Sequence, residues 1–453
     1  MSAVRARVQG DGIGARVMRG SALTFFGFGA SQALRLGSNL ILTRLLFPEA
    51  FGLMAIISLF LTGLQMISDV GLVTCVVRSK RGNDPAFLNT TWTIQIIRGV
   101  VLGAICLAIA GPVARFYDEA ILQELMYGLA FAVLIMGLQS TRIATASRNI
   151  TLGRVTWLDM GTQAVSTVIM VALAVMWESV WALMVGLIVQ HALKSLLSHV
   201  VLPGHANRLQ LEREALREQF HFGKYLFISS STSFLIENGD RIILSKFLSL
   251  ASLGFYNIAY FFGSVPLVLM GSFAMRVIYP LYSARPPLES ADNRRTLSRT
   301  RFALTGGMFA IMFGLALLGQ WLVDLLYTPE YSDVGVLLVG ISLSLMPSLI
   351  IRTHAFAILA SGKSSVFTAF QLFRGVLQTG LLLLAVINFG VLGALVAQPL
   401  AALLSYPVLY HILRPYRAQD PLHDAVFFGL TALCAMIVFW TNGDVFWQLA
   451  EMS

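Results

Sequence analysis

Apolar runs of twenty or more residues recur from Ser21 almost to the end of the chain, and they leave few folds open. In hydrocarbon every backbone N–H and C=O needs a partner inside the protein, so a spanning chain is either helical or a closed barrel. A barrel shows segments of about ten alternating residues, a pattern this chain lacks. Only 12% of the 453 residues are charged, against roughly 25% in soluble domains. With 57% hydrophobic residues and a mean hydropathy of +0.75, the chain reads as an all-α polytopic membrane protein. The run after Arg19 is too long for a cleavable signal and has no small-residue cleavage site.

The runs divide into spans at about 21–46, 51–77, 87–113, 122–146, 155–177 and 180–202, then about 222–248, 253–282, 302–326, 334–360, 365–389 and 391–413. A further run, Ala425–Trp440, is about sixteen residues long, marginal for a thirteenth span. Arg5, Arg7, Arg16 and Arg19 precede the first span, with Asp11 the one acid. Basic clusters then recur at alternate connections: Arg78, Lys80 and Arg81; Arg148 and Arg154; Arg285, Arg294, Arg295, Arg299 and Arg301; Arg414 and Arg417. The opposite connections carry Glu49, Asp118, Glu119, Glu178, Glu330 and Asp333. The positive-inside rule therefore puts the N-terminus in the cytoplasm. The net charge of +9 records this loop bias and does not call for nucleic acid.

The chain also repeats itself. Shifted by 202 positions, Arg35–Ser58 falls without a gap on Glu237–Tyr260, with Ile41-Leu42-Thr43-Arg44 over Ile243-Leu244-Ser245-Lys246 and Gly52 over Gly254. Phe116-Tyr117 echoes Leu326-Tyr327 at a shift of 210, and Gly153-Arg154 echoes Gly362-Lys363 at 209. Two pseudo-symmetric six-helix lobes around a central cavity follow, related by an axis along the membrane normal. The expected layout is a basic N-terminus (1–20), an N-lobe (21–202), a linker (203–220), a C-lobe (221–414) and a tail (415–453). In the linker, Arg208, Arg213 and Arg217 alternate with Glu212, Glu214 and Glu218, which suggests a short helix on the membrane surface.

Little here suggests catalysis. Gly362-Lys363-Ser364 lacks the upstream glycine and the strand of a phosphate-binding loop, because position 357 is Ala. The seven histidines show no metal spacing, and Cys75, Cys106 and Cys434 sit in apolar runs as packing residues. External loops are too short for a catalytic domain. The chain is read as a non-enzyme with no cofactor and no metal.

Charges inside the bilayer cost roughly 2.5–3.5 kcal/mol each at a helix centre, so they face a cavity or a partner. Arginine matches phosphate oxygens and stays charged when desolvated. Arg35, Asn39, Arg98, Arg241 and Arg374 are therefore candidate contacts for an anionic head group. Glu237, Asp240, Asp69, Arg142 and Arg352 are candidates for gating or ion coupling, the last two with snorkelling to the interface as the alternative. Lys194 is expected to snorkel. The repeat places Arg35 over Glu237, so the two either meet between the lobes or are neutralised locally, Glu237 for instance by Arg241 one turn on.

Leu42-Thr43-Arg44-Leu45-Leu46-Phe47-Pro48-Glu49-Ala50-Phe51-Gly52 resembles the hallmark of the polysaccharide transporter family, the Wzx-type lipid-linked oligosaccharide flippases of the multidrug/oligosaccharidyl-lipid/polysaccharide exporter superfamily. Asp240-Arg241-Ile242-Ile243 with Leu253-Gly254-Phe255-Tyr256-Asn257-Ile258-Ala259 resembles its second-half counterpart. The resemblance implies a bacterial inner-membrane protein. Its substrate would be an undecaprenyl-pyrophosphate-linked repeat unit, moved outward by alternating access for exopolysaccharide, capsule or O-antigen. It also implies the bilayer and polysaccharide polymerase and co-polymerase proteins as partners. Two other readings stay open: a cation-coupled multidrug exporter, which would want acids in the first span, where none occurs between Ser21 and Phe47, and a non-transporting scaffold for glycan assembly.

Overall fold

The computed structural model describes residues 13–451 apart from residues 70 and 150. Arg5, Arg7 and Asp11 lie outside the described residues, as do the side chains of Arg16 and Arg19. The chain divides into two units, 1–231 and 232–453. The first holds α1 (Ile13–Leu42), α2 (Pro48–Ile67), α3 (Leu72–Arg78), α4 (Pro85–Tyr117), α5 (Ile121–Gly137), α6 (Arg142–Arg148), α7 (Leu152–Trp177) and α8 (Trp181–Val200). α9 (Arg213–Phe247) carries the chain across the division. The second unit continues with α10 (Leu250–Phe273), α11 (Tyr279–Ala284), α12 (Ala291–Leu326), α13 (Ser332–Ala360), α14 (Ser364–Leu413), α15 (Pro421–Thr441) and α16 (Gly443–Glu451).

Among the described residues nine helices are long and apolar enough to cross a membrane, ten with the bent α5–α6 pair. Helix ends follow local chemistry. Pro48, Pro85 and Pro421 open their helices where a missing N–H costs nothing. Asp84, Ser249 and Ser290 cap α4, α10 and α12 by accepting from backbone N–H groups. α14 is two spans in one: the chain reverses at Phe389 and Gly390, where Gly390 takes φ 50° and ψ −129°. This is the break expected between 389 and 391. α15 covers the marginal run and extends it to 21 residues, long enough to span.

The repeat is visible in the helices themselves. α2 starts at Pro48 and α10 at Leu250, which is the 202 shift. Spans read as single in the sequence are interrupted in the first unit, and the equivalent places in the second carry a π-turn and a proline within continuous helix. α2 and α3 are separated at Ser68–Gly71; the same shift carries Gly71 onto Phe273, directly before the π-helical turn Ala274–Ile278. α5 and α6 meet at 57°, and the 209 shift carries Leu138 onto Pro347 inside α13. Proline removes an in-helix donor, and a π-turn inserts one residue into a helical turn.

Helices in lipid gain little from apolar burial against one another, so close backbone approach carries the packing. A Cβ on Gly99 would lie 3.0 Å from Gly137 Cα, and one on Gly137 3.1 Å from Gly99 Cα, so α4 and α5 touch backbone to backbone. Gly99→Leu is expected to cost about 1–3 kcal/mol, since the helices must part to admit the side chain. Thermal unfolding in detergent checks this, and an unchanged midpoint would refute the close packing. In the second unit α13 is the axis: 94% of its apolar window is buried.

The linker departs from the expected surface helix. Residues 203–212 are not helical, and the helix that starts at Arg213 is already α9. The segment is tied to the first turns of α4. Arg208 N donates to Asn89 Oδ1 (3.0 Å), Gln210 N to Thr93 Oγ1 (3.0 Å) and Glu212 N to Thr90 Oγ1 (3.0 Å). Polar side chains on one helix thus replace the neighbouring turns that would have satisfied these N–H groups. Arg81 closes the arrangement on Glu212 (2.7 Å) and Asp84 (2.6 Å). The Arg81 guanidinium holds the Asp84 carboxyl below its usual range, with the Ala86 N–H contributing. A depressed carboxylate stabilises the folded state above its unfolded pKa of about 4 and loses that contribution as pH falls through its lowered folded value. Protease cleavage within 203–212 is therefore expected to appear only below about pH 4, and in Arg81→Ala at neutral pH as well. Equal resistance of both proteins would count against the tie.

Candidate functional site

Arginine reaches into the interruptions of the first unit. Arg98 donates from Nε to Ser68 Oγ (2.9 Å) and from Nη2 to Gln65 O (2.8 Å), at the end of α2. Arg142 donates to the carbonyls of His199 in the last turn of α8 and of Leu202 (2.8 Å) and His205 (3.1 Å) beyond it. Arg148 does the same at the end of α3, on Val76 O (2.9 Å), Val77 O (2.8 Å) and Ser79 O (2.6 Å). The last carbonyls of a helix lack partners and carry its negative dipole end, so a guanidinium is a suitable plug. Arg142 is thereby engaged rather than snorkelling. Asp69 accepts from Gly71 N (2.8 Å) at the left-handed turn that opens α3. Lys194, expected to snorkel, pairs instead with Asp159 at 2.8 Å. Arg35 is exposed on α1 and has no ion pair among the described residues; Asn39 is half-buried on the same helix. Arg98 also lines a cavity of about 280 Å³ with Gln65, Gln95 and Gln139.

The second unit holds a more polar cavity of about 170 Å³ between α9, α10, α13 and α14. Glu237, Tyr260, Ser348, Arg352, Gln371, Arg374, Gln378 and Gln398 line it. Arg352 pairs with Glu237 at 3.4 Å, so Glu237 is neutralised within its own unit by Arg352 and not by the Arg241 guanidinium. Arg241 instead donates to the Glu237 carbonyl (3.2 Å) and stacks its charge 4.6 Å from the Tyr260 ring centre. Asp240 lies outside this lining, 1% exposed, accepting from Tyr256 Oη (2.7 Å) and Gln398 Nε2 (3.1 Å). It fastens α9 to α10 and α14.

Arg374 is the exceptional group. It is 8% exposed, its Nε has no partner, and the hydrogen bond found for it is a long one to Ser348 Oγ (3.4 Å). Buried donors are normally satisfied, and each that is not asks for an explanation. Two guanidinium groups against one carboxylate leave the cavity with a surplus positive charge. Its volume falls below the roughly 300–1,000 Å³ of pockets that enclose a whole ligand, so it suits one charged group of a larger molecule. Sequence reasoning found Arg374, Arg352 and Glu237 but passed over the glutamines. Gln371, Arg374 and Gln378 recur at helical spacing within an apolar span, a polar stripe that was there to be read.

Solved structures share this fold. The lipid II flippase MurJ in an inward closed conformation aligns with a TM-score of 0.70 over 93% of this chain and 92% of that one, at 13% identity. An inward-facing multidrug resistance MATE family transporter of the MOP superfamily gives 0.64 over 86% and 96%, at 12% identity. Among curated proteins, the succinoglycan biosynthesis transport protein ExoT of Rhizobium meliloti is 24% identical over 75% of this chain and 68% of its own length. The teichuronic acid biosynthesis protein TuaB of Bacillus subtilis is 20% identical over 72% and 67%. The lipopolysaccharide biosynthesis protein WzxC of Escherichia coli is 23% identical over 54% of this chain and 49% of its own length. Residues 41–335 match the family described as polysaccharide biosynthesis protein, so this multi-pass membrane chain, built on the fold of the MOP-superfamily transporters, belongs to that family.

Proposed function

We propose that the protein flips undecaprenyl-pyrophosphate-linked oligosaccharide repeat units from the inner to the outer leaflet of a bacterial inner membrane, by alternating access. The observation that carries this reading is Arg374, a buried guanidinium whose Nε donor is unspent, in a cavity of surplus positive charge. A phosphate oxygen is the acceptor such a fork is built for. Arg352, close by and shared with Glu237, would take a second oxygen as the pair loosens. The multidrug-exporter reading fits less well, because a cationic drug would meet two arginines there. The basic connections support an orientation with the N-terminus in the cytoplasm. Outward movement of negative charge is then helped by about 2.3 kcal/mol per charge per 100 mV.

Deleting the gene and following lipid-linked intermediates tests the assignment. The expected result is loss of the surface polymer with undecaprenyl-linked repeats retained on the inner leaflet. Unchanged polymer with new drug sensitivity would favour the exporter. Lost polymer with intermediates flipped normally would favour a scaffold that assembles polymerase and co-polymerase proteins.

A further inference from the structure

The second unit contains a polar cluster whose members do not line the Arg374 cavity, although His354 lies two positions from Arg352 on α13. Arg301 on α12, placed among the basic loop residues in the sequence reading, is 2% exposed inside the helix. Its Nη2 lies 2.6 Å from His354 Nε2, 3.1 Å from His423 Nδ1 and 3.2 Å from Asp424 Oδ1. His354 Nε2 is also 2.8 Å from Asp424 Oδ1, and His423 Nδ1 is 2.8 Å from the same oxygen. Tyr406 donates to Asp424 Oδ2 at 2.7 Å, and Thr305 Oγ1 sits 3.0 Å from His423 Nε2. Asp420 faces the other arm of Arg301 at 3.6 Å.

Two imidazole nitrogens and a carboxylate oxygen converging in this way have the form of a metal site. Arg301 argues against that reading. Its Nη2 is within hydrogen-bond reach of all three ligand atoms, so the cation at the centre is the protein's own guanidinium.

The hydrogen-bond assignment has no single solution. Arg301 can only donate and an ionised Asp424 can only accept, yet each touches the same nitrogen of each ring. A ring nitrogen that holds a proton serves Asp424 and repels Arg301; a bare one serves Arg301 and repels Asp424. Two bonding patterns therefore compete in nearly one geometry, and they differ in where a proton sits. The charge count points the same way. With neutral rings and both carboxylates ionised, one guanidinium and two carboxylates leave the cluster at net −1, and one added proton brings it to zero.

A route to solvent exists. An open cavity of about 190 Å³ runs from Arg294, Arg295 and Arg417 to Tyr282, Arg301 and Asp420. Phe302 packs edge-on against His423 and Phe427 lies tilted against it.

We propose that Arg301, His354, His423 and Asp424 form a proton-binding site, loaded through this cavity, whose occupancy governs how firmly α15 is held against α12, α13 and α14. The ligand is the proton itself, shared between Asp424 and the two rings. It is a site apart from the Arg374 cavity and does not rest on the flippase assignment.

The test is 15N spectroscopy of histidine-labelled protein in lipid nanodiscs between about pH 5 and about pH 9, where imidazole charge changes fall. His354→Gln and His423→Gln assign the two rings among the seven. The expected result is that both ring signals move together in a single one-proton step, and that Asp424→Asn abolishes this joint step. Hydrogen exchange in α15 should change across the same step in the unmodified protein. The proposal is overturned if both rings keep one protonation state throughout, or if α15 exchange is flat while they titrate. It is equally overturned if a stoichiometric divalent ion leaves with chelator and the ring signals then move. Where a substituted protein fails to fold, α15 exchange in the unmodified protein decides, flat exchange from about pH 5 to about pH 9 overturning the proposal.

Discussion

Arg301→Met is expected to lower the stability of the second unit by about 3–5 kcal/mol, the usual cost of removing one partner from a buried ionic group. Methionine keeps most of the apolar stem, so the loss reports the charge rather than a cavity. Asp424 would keep its ring contacts and Tyr406 but lose the guanidinium at 3.2 Å, and Asp420 would lose the same guanidinium at 3.6 Å. Asp424→Asn added to Arg301→Met should restore part of the loss, because the orphaned charge is then removed, and the double-mutant cycle gives the coupling. Thermal unfolding in detergent is the readout, with a midpoint drop on the order of 10 °C for a unit of this size. A fall of less than about 1 kcal/mol would mean that water already screens the cluster.

The second large effect concerns function. Arg374→Gln is expected to reduce export of lipid-linked repeat units roughly 10- to 100-fold, since a hydrogen bond to a charged group contributes about 1.5–3 kcal/mol. Arg374 supports the fold through one long hydrogen bond, so the fold should survive its loss and the protein should be present at normal levels. Arg374→Lys keeps the charge without the fork and should retain intermediate activity. The measurement is the fraction of undecaprenyl-linked repeats on the inner leaflet in cells carrying each variant as the sole copy. Full export by the glutamine variant at normal protein level would remove Arg374 from the substrate path.

Span positions were largely legible because hydropathy reports them directly. The break at Phe389 and Gly390 and the run at 425–440 both became structure. The interruptions at Ser68–Gly71 and Leu138–Thr141 were not legible, because their few polar residues (Ser68 and Asp69; Gln139, Ser140 and Thr141) sit inside longer apolar runs that hydropathy averages into one span. For that reason Arg98 and Arg142 were recognised as buried charges while their partners, the carbonyls freed by those breaks and at and beyond the end of α8, were invisible. The cluster was hidden for another reason: its members come from α12, α13, α14 and α15, and no local spacing links them. Arg301 did leave a trace. Leu297, Arg301, Thr305, Phe309, Met312 and Ala316 follow one another at helical spacing, and all are buried, so the arginine stands in a core position. Its membership in a run of basic residues concealed that periodicity.

The abrupt reversal at Gly390 bears on how the chain enters the membrane. With no polar loop between them, the two arms of α14 have no segment that can wait in water while the first arm inserts alone. They are better described as a helical hairpin that partitions as one body. Arg374 and Gln378 lie on the first arm and Gln398 on the second, all three nearly buried. A lone first arm would present a guanidinium to hydrocarbon at about 2.5–3.5 kcal/mol on insertion scales. Delivered with its partner arm, the same residue has a protein face to turn toward, and the charge proposed to meet the substrate is less of an obstacle to assembly.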